Sequence, residues 1–100
     1  MKIYIAGKIT GDPDYRAKFK SAQLYLEALG HSVLNPATSP AGLRPADYMR
    51  LDFAMIDAAD AVMFLHDWQD SPGAYLERQY CEYTGKGILP FYLWEVEKHE

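Results

Sequence analysis

Short apolar runs alternate along this chain with longer segments of helical periodicity, and this alternation limits the folds that the chain can form. The apolar runs predict four strands, at 2–6, 32–34, 61–65 and 88–92. The segments between them predict three helices, at 15–29, 47–59 and 73–84. Strands that alternate with helices of this length form a parallel sheet through right-handed crossovers, with helices on both faces. The sequence therefore predicts an α/β fold.

The order of the strands predicts where a ligand binds. In open parallel sheets, ligands bind beyond the carboxyl ends of the strands, at the point where the strand order reverses. With the order 2-1-3-4, this point lies between the first and third strands. The loops after Ala6 and Leu65 should therefore line a pocket. The long loop that ends near Pro45 is a candidate lid or pocket wall. The alternative is a connecting loop with no role in binding.

Each predicted helix carries apolar residues at helical spacing. They are Tyr15, Phe19, Ala22, Leu26 and Leu29 in the first helix, Tyr48, Leu51, Met55 and Ala58 in the second, and Leu76, Tyr80 and Tyr83 in the third. Gly30 stands where a C-terminal cap is expected. The third helix has more apolar surface than one sheet contact needs, which predicts a homodimer or larger homo-oligomer. The alternative is that a small domain exposes some tyrosines without consequence.

The composition excludes several classes of protein. A chain of 100 residues is expected to form one domain, 1–100, and 49% hydrophobic with 24% charged residues is typical of a globular protein. The net charge of -4 lacks the basic surplus that binding to a nucleic acid polymer requires. No apolar run approaches the roughly 18 residues that span a bilayer, and the first residues do not resemble a signal peptide.

The cysteine and histidine residues bear on location and on metal binding. The single cysteine, Cys81, predicts a cytoplasmic protein without disulfides. His31, His66 and His99 have no ligand-like spacing with Cys81, so we expect no metal site and no cofactor.

The segment Ser71-Pro72-Gly73-Ala74-Tyr75-Leu76-Glu77 lies at the start of the third predicted helix, beside the expected pocket. A helix N-terminus offers unpaired N–H groups and a positive dipole end, which suit a phosphate or a sugar hydroxyl. Glu77 would then face whatever the helix start binds. The alternative is that Ser71 is an ordinary N-cap and Glu77 a solvated helix residue.

Asp52 lies within the apolar segment Leu51-Asp52-Phe53-Ala54-Met55-Ile56. A carboxylate in such a segment is either on the solvated stripe of the helix or kept inside for a purpose. Both interpretations are open from the sequence. Asp57 and Asp60, by contrast, are interpreted as a solvated residue and a turn or capping residue.

Two further pairs of neighbours are weaker candidates. Gly7-Lys8 follows the first strand and could bind phosphate, but it lacks both glycine-rich phosphate motifs, and Gly7 could simply serve the turn. His66-Asp67 follows the third strand, but adjacent residues at a strand end usually point apart.

Taken in order, several of these residues resemble the motifs of the nucleoside 2-deoxyribosyltransferase superfamily, especially its short phage or prophage members. The matching residues are Tyr4-Ile5-Ala6-Gly7, then Asp52, Ile56 and Asp60, and then Ser71, Gly73 and Glu77. The resemblance extends from Tyr4 to the last strand. It implies a flavodoxin-like three-layer sandwich.

The resemblance also implies roles for individual residues. Glu77 matches the glutamate nucleophile, Tyr4 the tyrosine that orients it, and Asp52 the aspartate that assists proton transfer at the base. Ser71 stands where the transferases have aspartate and the deoxynucleoside-monophosphate N-glycosidases have serine. An aspartate accepts a 5′-hydroxyl, whereas a serine at a helix N-terminus suits a 5′-phosphate. Gly7, Lys8, Ser71 and Gly73 are the predicted substrate-binding residues.

The implied activity is cleavage of the N-glycosidic bond of 2′-deoxynucleosides or their 5′-monophosphates through a covalent glutamyl intermediate. The sequence leaves transfer to a second base and hydrolysis by water both open. It also leaves open a non-catalytic nucleoside- or nucleotide-binding module of the same fold, and an interaction protein that neither binds nor turns over nucleotides.

Overall fold

The computed structural model describes residues 1–89, which form a four-stranded parallel sheet and three α-helices. In chain order the elements are β1 (Lys2–Ala6), α1 (Tyr15–Ala28), β2 (Ser32–Leu34), α2 (Pro45–Ala58), β3 (Ala61–Phe64), α3 (Pro72–Thr84) and β4 (Gly87–Leu89). The strand order is β2-β1-β3-β4, so the predicted α/β fold and its strand order are confirmed. The end of the predicted last strand, 90–92, lies outside the described residues.

The alternation of side chains along β1 builds two cores, one on each face of the sheet. Ile3 and Ile5 pack against Phe19 and other residues of α1. Tyr4 and Ala6 point to the opposite face, where they pack with residues of α2, α3 and β3. The fold is therefore a three-layer sandwich, and Tyr4 lies on the layer that α2 and α3 cover.

The predicted apolar face of α1 is confirmed for most of its residues. Phe19, Ala22 and Leu26 are buried, but Leu29 is exposed because the helix ends at Ala28. The N–H of Gly30 binds the carbonyl of Glu27, and Gly30 has φ +92°. Only glycine adopts this left-handed conformation readily, which is why the helix stops there.

The predicted apolar face of α2 is wrong in part. Leu51 and Ala58 are exposed, whereas Ile56 is buried and Asp52 and Phe53 are half-buried. This helix is apolar around much of its circumference, so spacing alone admits more than one face. Contact with the core around Tyr4 selects the face that carries Asp52 and Ile56.

The inner stripe of α3 is Ala74, Glu77 and Cys81, all buried. Leu76 and Tyr83, which the periodicity groups on one stripe, are exposed instead. The second subunit expected on this outer face stays a prediction. Within residues 1–89, no helix is both long enough and apolar enough to cross a membrane.

Candidate active site

A cavity of about 800 Å³ opens at the carboxyl end of β1, the strand beside which the strand order reverses. Its walls come from β1 and the loop after it, the segment 36–45, the inner side of α2 and the first turns of α3. The loop after Ala6 lines the cavity as predicted, but the loop after Leu65 contributes only its last residue, Ser71, so this half of the prediction is wrong. The cavity brings together Tyr4, Asp52 and Glu77. Tyr4 and Glu77 are 73 positions apart in the sequence.

Glu77 projects from α3 into the inner end of the cavity, and only 4% of its surface is exposed. The start of α3 determines this direction. Ser71 is the N-cap, since its Oγ accepts a hydrogen bond of 3.2 Å from the N–H of Ala74, and Pro72 is the first helical residue. With the first turn fixed there, Glu77 falls on the buried stripe. The alternative of a solvated Glu77 is therefore wrong.

The hydroxyl of Tyr4 donates a hydrogen bond to Oε2 of Glu77. Tyr4 is fully buried in β1, where it pairs in register with Val62 of β3. Burial raises the pKa of Tyr4 well above its ordinary value, and the charge of Glu77 adds to the effect. Tyr4 is therefore a permanent hydrogen-bond donor to Glu77.

Burial also raises the pKa values of the two carboxyl groups. The pKa of Asp52 rises from 3.8 to about 6 through desolvation. The pKa of Glu77 rises from 4.5 to about 8, first through desolvation; the hydrogen bond from Tyr4 acts in the opposite direction, and the charge of Asp52 adds to the rise. Between these two values the pair holds one proton, mainly on Glu77.

This order of pKa values differs from the one that the assigned roles require. A nucleophilic Glu77 must be ionised, and an Asp52 that protonates the base must carry the proton. The environments do separate the two pKa values, but Glu77, the more deeply buried group, has the higher one. The shared proton therefore rests mainly on Glu77, the group that the role implied by the resemblance requires to be ionised.

Three of the four predicted substrate-binding residues line the cavity: Gly7, Ser71 and Gly73. Gly7 is buried, and a Cβ atom there would lie 3.0 Å from Cδ1 of Leu65, so a larger residue would disturb the packing of the two strand ends. Lys8 is not among the lining residues. Its backbone N–H binds Asp67 and its carbonyl accepts from Lys18.

Sequence reasoning missed several lining residues in the loop after β1, at the start of α1 and on α2, including Ile9, Thr10, Arg16 and Met49. These are ordinary loop and helix residues with no motif around them. The long loop before α2, a candidate pocket wall, does line the cavity. Tyr48 ties it to α2, since its hydroxyl donates to the carbonyl of Pro40 at 2.6 Å and accepts from the N–H of Leu43 at 3.2 Å.

The other sequence candidates lie apart from the cavity. Asp60 accepts a hydrogen bond of 2.8 Å from the N–H of Lys2, and the exposed Asp57 accepts one from Tyr80. His66 and Asp67 are not among the lining residues. Across residues 1–89, no cluster of three or more His, Cys, Asp or Glu side chains could hold a metal ion.

Comparison with known proteins gives a family and a fold. A family model described as a domain of unknown function (DUF4406) matches residues 1–90. A comparison with curated proteins gives no match.

The similar solved structures include a 2-deoxyribosyltransferase from Bacillus psychrosaccharolyticus, with a TM-score of 0.71 and 20% identity over 90% of this chain and 71% of that one. A 2-deoxyribosyltransferase from Leishmania mexicana has a TM-score of 0.70 and 22% identity over 89% of this chain and 62% of its own. A conserved protein from Enterococcus faecalis has a TM-score of 0.67 and 17% identity over 90% of this chain and 62% of its own. The chain thus has the flavodoxin-like fold of these proteins but spans less than two thirds of the last two.

Proposed function

Since the chain belongs to the family described as a domain of unknown function (DUF4406) and has the fold of 2-deoxyribosyltransferases, we propose that it cleaves N-glycosidic bonds of 2′-deoxynucleosides or their 5′-monophosphates. One observation carries the proposal. A buried glutamate, Glu77, receives a hydrogen bond from a buried tyrosine, Tyr4, and shares a cavity with a second carboxyl group, Asp52. A nucleophile, the residue that orients it and a proton donor are the groups that this reaction needs.

In the proposed reaction the Glu77 carboxylate attacks C1′ of the sugar while the bond between C1′ and the base nitrogen breaks. Asp52 gives its proton to the leaving base. The product is a deoxyribosyl ester of Glu77 and a free base, as in a retaining glycosidase. Attack on C1′ by water, or by a nitrogen of a second base, then breaks the ester bond and restores the Glu77 carboxylate, while Asp52 takes up the proton that the attacking group loses; the product is the free sugar or a new nucleoside.

The order of the two pKa values adds a step before this attack. The proton shared by the pair rests mainly on Glu77 before substrate binds, so it must pass to Asp52 when substrate binds. The Tyr4 hydroxyl then donates its hydrogen bond to an ionised Glu77, which is stronger than one to a neutral acid. Tyr4 therefore favours the reactive distribution of the proton.

The proposed reaction has a defined pH dependence. It needs one proton on the carboxyl pair, so kcat/KM should be bell-shaped, with limbs near pH 6 and 8 that belong to the pair. Below the lower limb both carboxyl groups are protonated, so the nucleophile is lost. Above the upper limb both are ionised, so the proton for the leaving base is gone. Initial rates of base release between pH 4.5 and about 9 measure the profile. A rate that is flat across this range would contradict the role of the pair.

The activity itself is tested by chromatography after incubation with a panel of deoxynucleosides and their 5′-monophosphates, with and without an acceptor base. Free base without acceptor indicates hydrolysis, and a new nucleoside with acceptor indicates transfer. Ribonucleosides serve as the matched controls. Saturable binding by calorimetry with no free base would support the non-catalytic binding module instead.

Ser71 provides a test of the 5′-phosphate. Both serine and aspartate cap helices well, so Ser71→Asp should keep the start of α3 and place a negative charge at the cavity wall. We expect kcat/KM for monophosphates to fall about 100-fold because the carboxylate repels the phosphate, with less than about 3-fold change for nucleosides. Steady-state kinetics on matched nucleoside and monophosphate pairs measure the ratio. An equal change for both would show that Ser71 does not face the 5′ group.

A further inference from the structure

Lys18 on α1 joins the two loops that follow β1 and β3. Its Nζ donates to the carbonyl oxygen of Lys8 at 2.8 Å, to Oδ2 of Asp12 at 2.6 Å and to Oδ2 of Asp67. An ammonium group has three protons to donate, so all of its capacity is used. Lys8 and Asp12 belong to the loop after β1, and Asp67 belongs to the loop after β3.

Asp67 completes the connection with its other oxygen. Its Oδ1 accepts a hydrogen bond of 3.0 Å from the N–H of Lys8, so both backbone groups of Lys8 are held by this cluster. Gly7 permits the close approach, because a Cβ atom there would lie 3.2 Å from the same Oδ1. Sequence reasoning treated Gly7-Lys8 and His66-Asp67 as separate pairs; the structure links them through Lys18.

The cluster lies behind the cavity wall and not in it. Lys18, Asp12 and Asp67 are absent from the lining, whereas Gly7, Ile9 and Thr10 of the first loop are part of it. The second loop continues from Asp67 through a short 3-10 turn, Trp68–Asp70, to the N-cap Ser71. Lys18 therefore connects the wall on the β1 side to the start of α3.

The cluster is shielded from solvent. The side chains of Lys18 and Asp67 are 14% and 15% exposed. The ammonium group of Lys18 holds the pKa of Asp12 below its ordinary value, together with the N–H of Asp14. Partly buried, charge-assisted hydrogen bonds restrain geometry more firmly than exposed ion pairs do.

We propose that Lys18 and Asp67 are positioning residues that fix the distance between the loop after β1 and the start of α3, and so set the affinity for substrate. The inference rests on the proposed function of the cavity. Tyr4, Asp52 and Glu77 are carried by β1, α2 and α3, and the cluster makes no hydrogen bond to any of them. The Ser71 cap and the hydrogen bond from Tyr4 still hold Glu77 without the cluster, so its loss weakens binding and leaves the chemical step nearly intact.

Lys18→Met keeps the length of the side chain and removes the ammonium group. We expect KM to rise about 10-fold while kcat stays within about 3-fold of wild type. A lower kcat with an unchanged KM would overturn the proposal, because this is the result of a smaller fraction of folded protein and not of weaker substrate binding. Lys20→Met, a change at an exposed lysine of the same helix, is the matched control and should leave both constants unchanged.

Asp67→Asn is the second variant and keeps an acceptor for the N–H of Lys8. If the two residues act as one unit, the double variant raises KM no more than the larger single effect, and not by the roughly 100-fold product of two 10-fold effects. A roughly 100-fold rise of KM in the double variant would show that Lys18 and Asp67 act independently. Thermal melts identify a variant that fails to fold, in which case the other single variant carries the test.

Amide hydrogen exchange in the free protein separates this proposal from the proposed function. Lys18→Met should accelerate exchange about 10-fold or more in both loops, 7–12 and 66–71, since each is held through the same ammonium group. Faster exchange in both loops, with no turnover by wild type, would leave the connection standing and refute the activity. Turnover by wild type with unchanged exchange in loop 66–71 would refute the connection alone.

Discussion

Glu77→Gln lowers base release by about 1,000-fold or more, because an amide does not act as the nucleophile that forms the deoxyribosyl ester. The substitution preserves the shape of the side chain, and its amide oxygen still accepts the hydrogen bond from Tyr4. A loss of activity is therefore a chemical effect and not a packing defect. Steady-state base release measures the rate, and mass spectrometry after acid quenching detects the ester in wild type and its absence in the variant.

Glu82→Gln is the matched control for this experiment. Glu82 lies on the same helix but is exposed and pairs with Arg78 at the surface. Its removal should change the rate less than about 2-fold, as expected for an exposed ion pair. Undiminished turnover by Glu77→Gln would assign the chemistry to another residue and remove the central element of the proposed mechanism.

The same Glu77→Gln substitution stabilises the fold at alkaline pH. Glu77 has a pKa of about 8 in the folded protein against 4.5 as its ordinary value, so the folded state binds the proton more tightly. The stability associated with the neutral acid is complete below pH 4.5 and is lost as the pH rises through about 8. Wild type should therefore lose about 3 kcal/mol of unfolding free energy between pH 5 and 8, and glutamine should not.

Thermal melts of both proteins at pH 5 and pH 8 measure this difference. A gap of about 3 kcal/mol corresponds to about 12 to 24 °C in Tm for a domain of this size. Asp52, whose pKa is raised to about 6 by desolvation, adds a loss of the same sign in both proteins, so the difference between the two curves is dominated by Glu77. Parallel pH curves for the two proteins would show that Glu77 is not held neutral by its surroundings.

Together the two predictions describe one residue that is unfavourable for stability and necessary for the proposed chemistry. Burial raises the free energy that is needed to ionise the Glu77 carboxyl group. The same burial keeps water from an ionised Glu77 and leaves it reactive. A variant that gains stability and loses activity is the expected signature of a functional carboxyl group.

Local pattern was sufficient for most of the fold. Each strand is a short apolar run and each helix a segment of regular periodicity, so the elements and their alternation could be predicted, and chain handedness then limits the topology. Local pattern was insufficient for the orientation of α2 and α3. The periodicity places Leu51 and Leu76 on apolar stripes that should face the sheet. In the structure these two residues are exposed, and the stripes that carry Asp52 and Glu77 face inward instead.

The order of residues predicted that Tyr4, Asp52, Ser71, Gly73 and Glu77 belong together, and the cavity does contain them all. It did not predict that Glu77 has a higher pKa than Asp52, because desolvation depends on the surrounding atoms of three separate elements.

The part played by Lys18 also required the tertiary structure. In the sequence it is one of ten Lys and Arg residues, with no motif around it. Only folding brings its ammonium group to Asp67, 49 positions away, and to the carbonyl of Lys8. The sequence by itself thus determined the elements and their alternation, since these follow from local periodicity and residue type, while the resemblance to the deoxyribosyltransferase superfamily supplied the candidate reactive groups. The tertiary structure decided which helix faces are buried, where the proton rests and what holds the loops, since each of these depends on contacts between residues far apart in the chain.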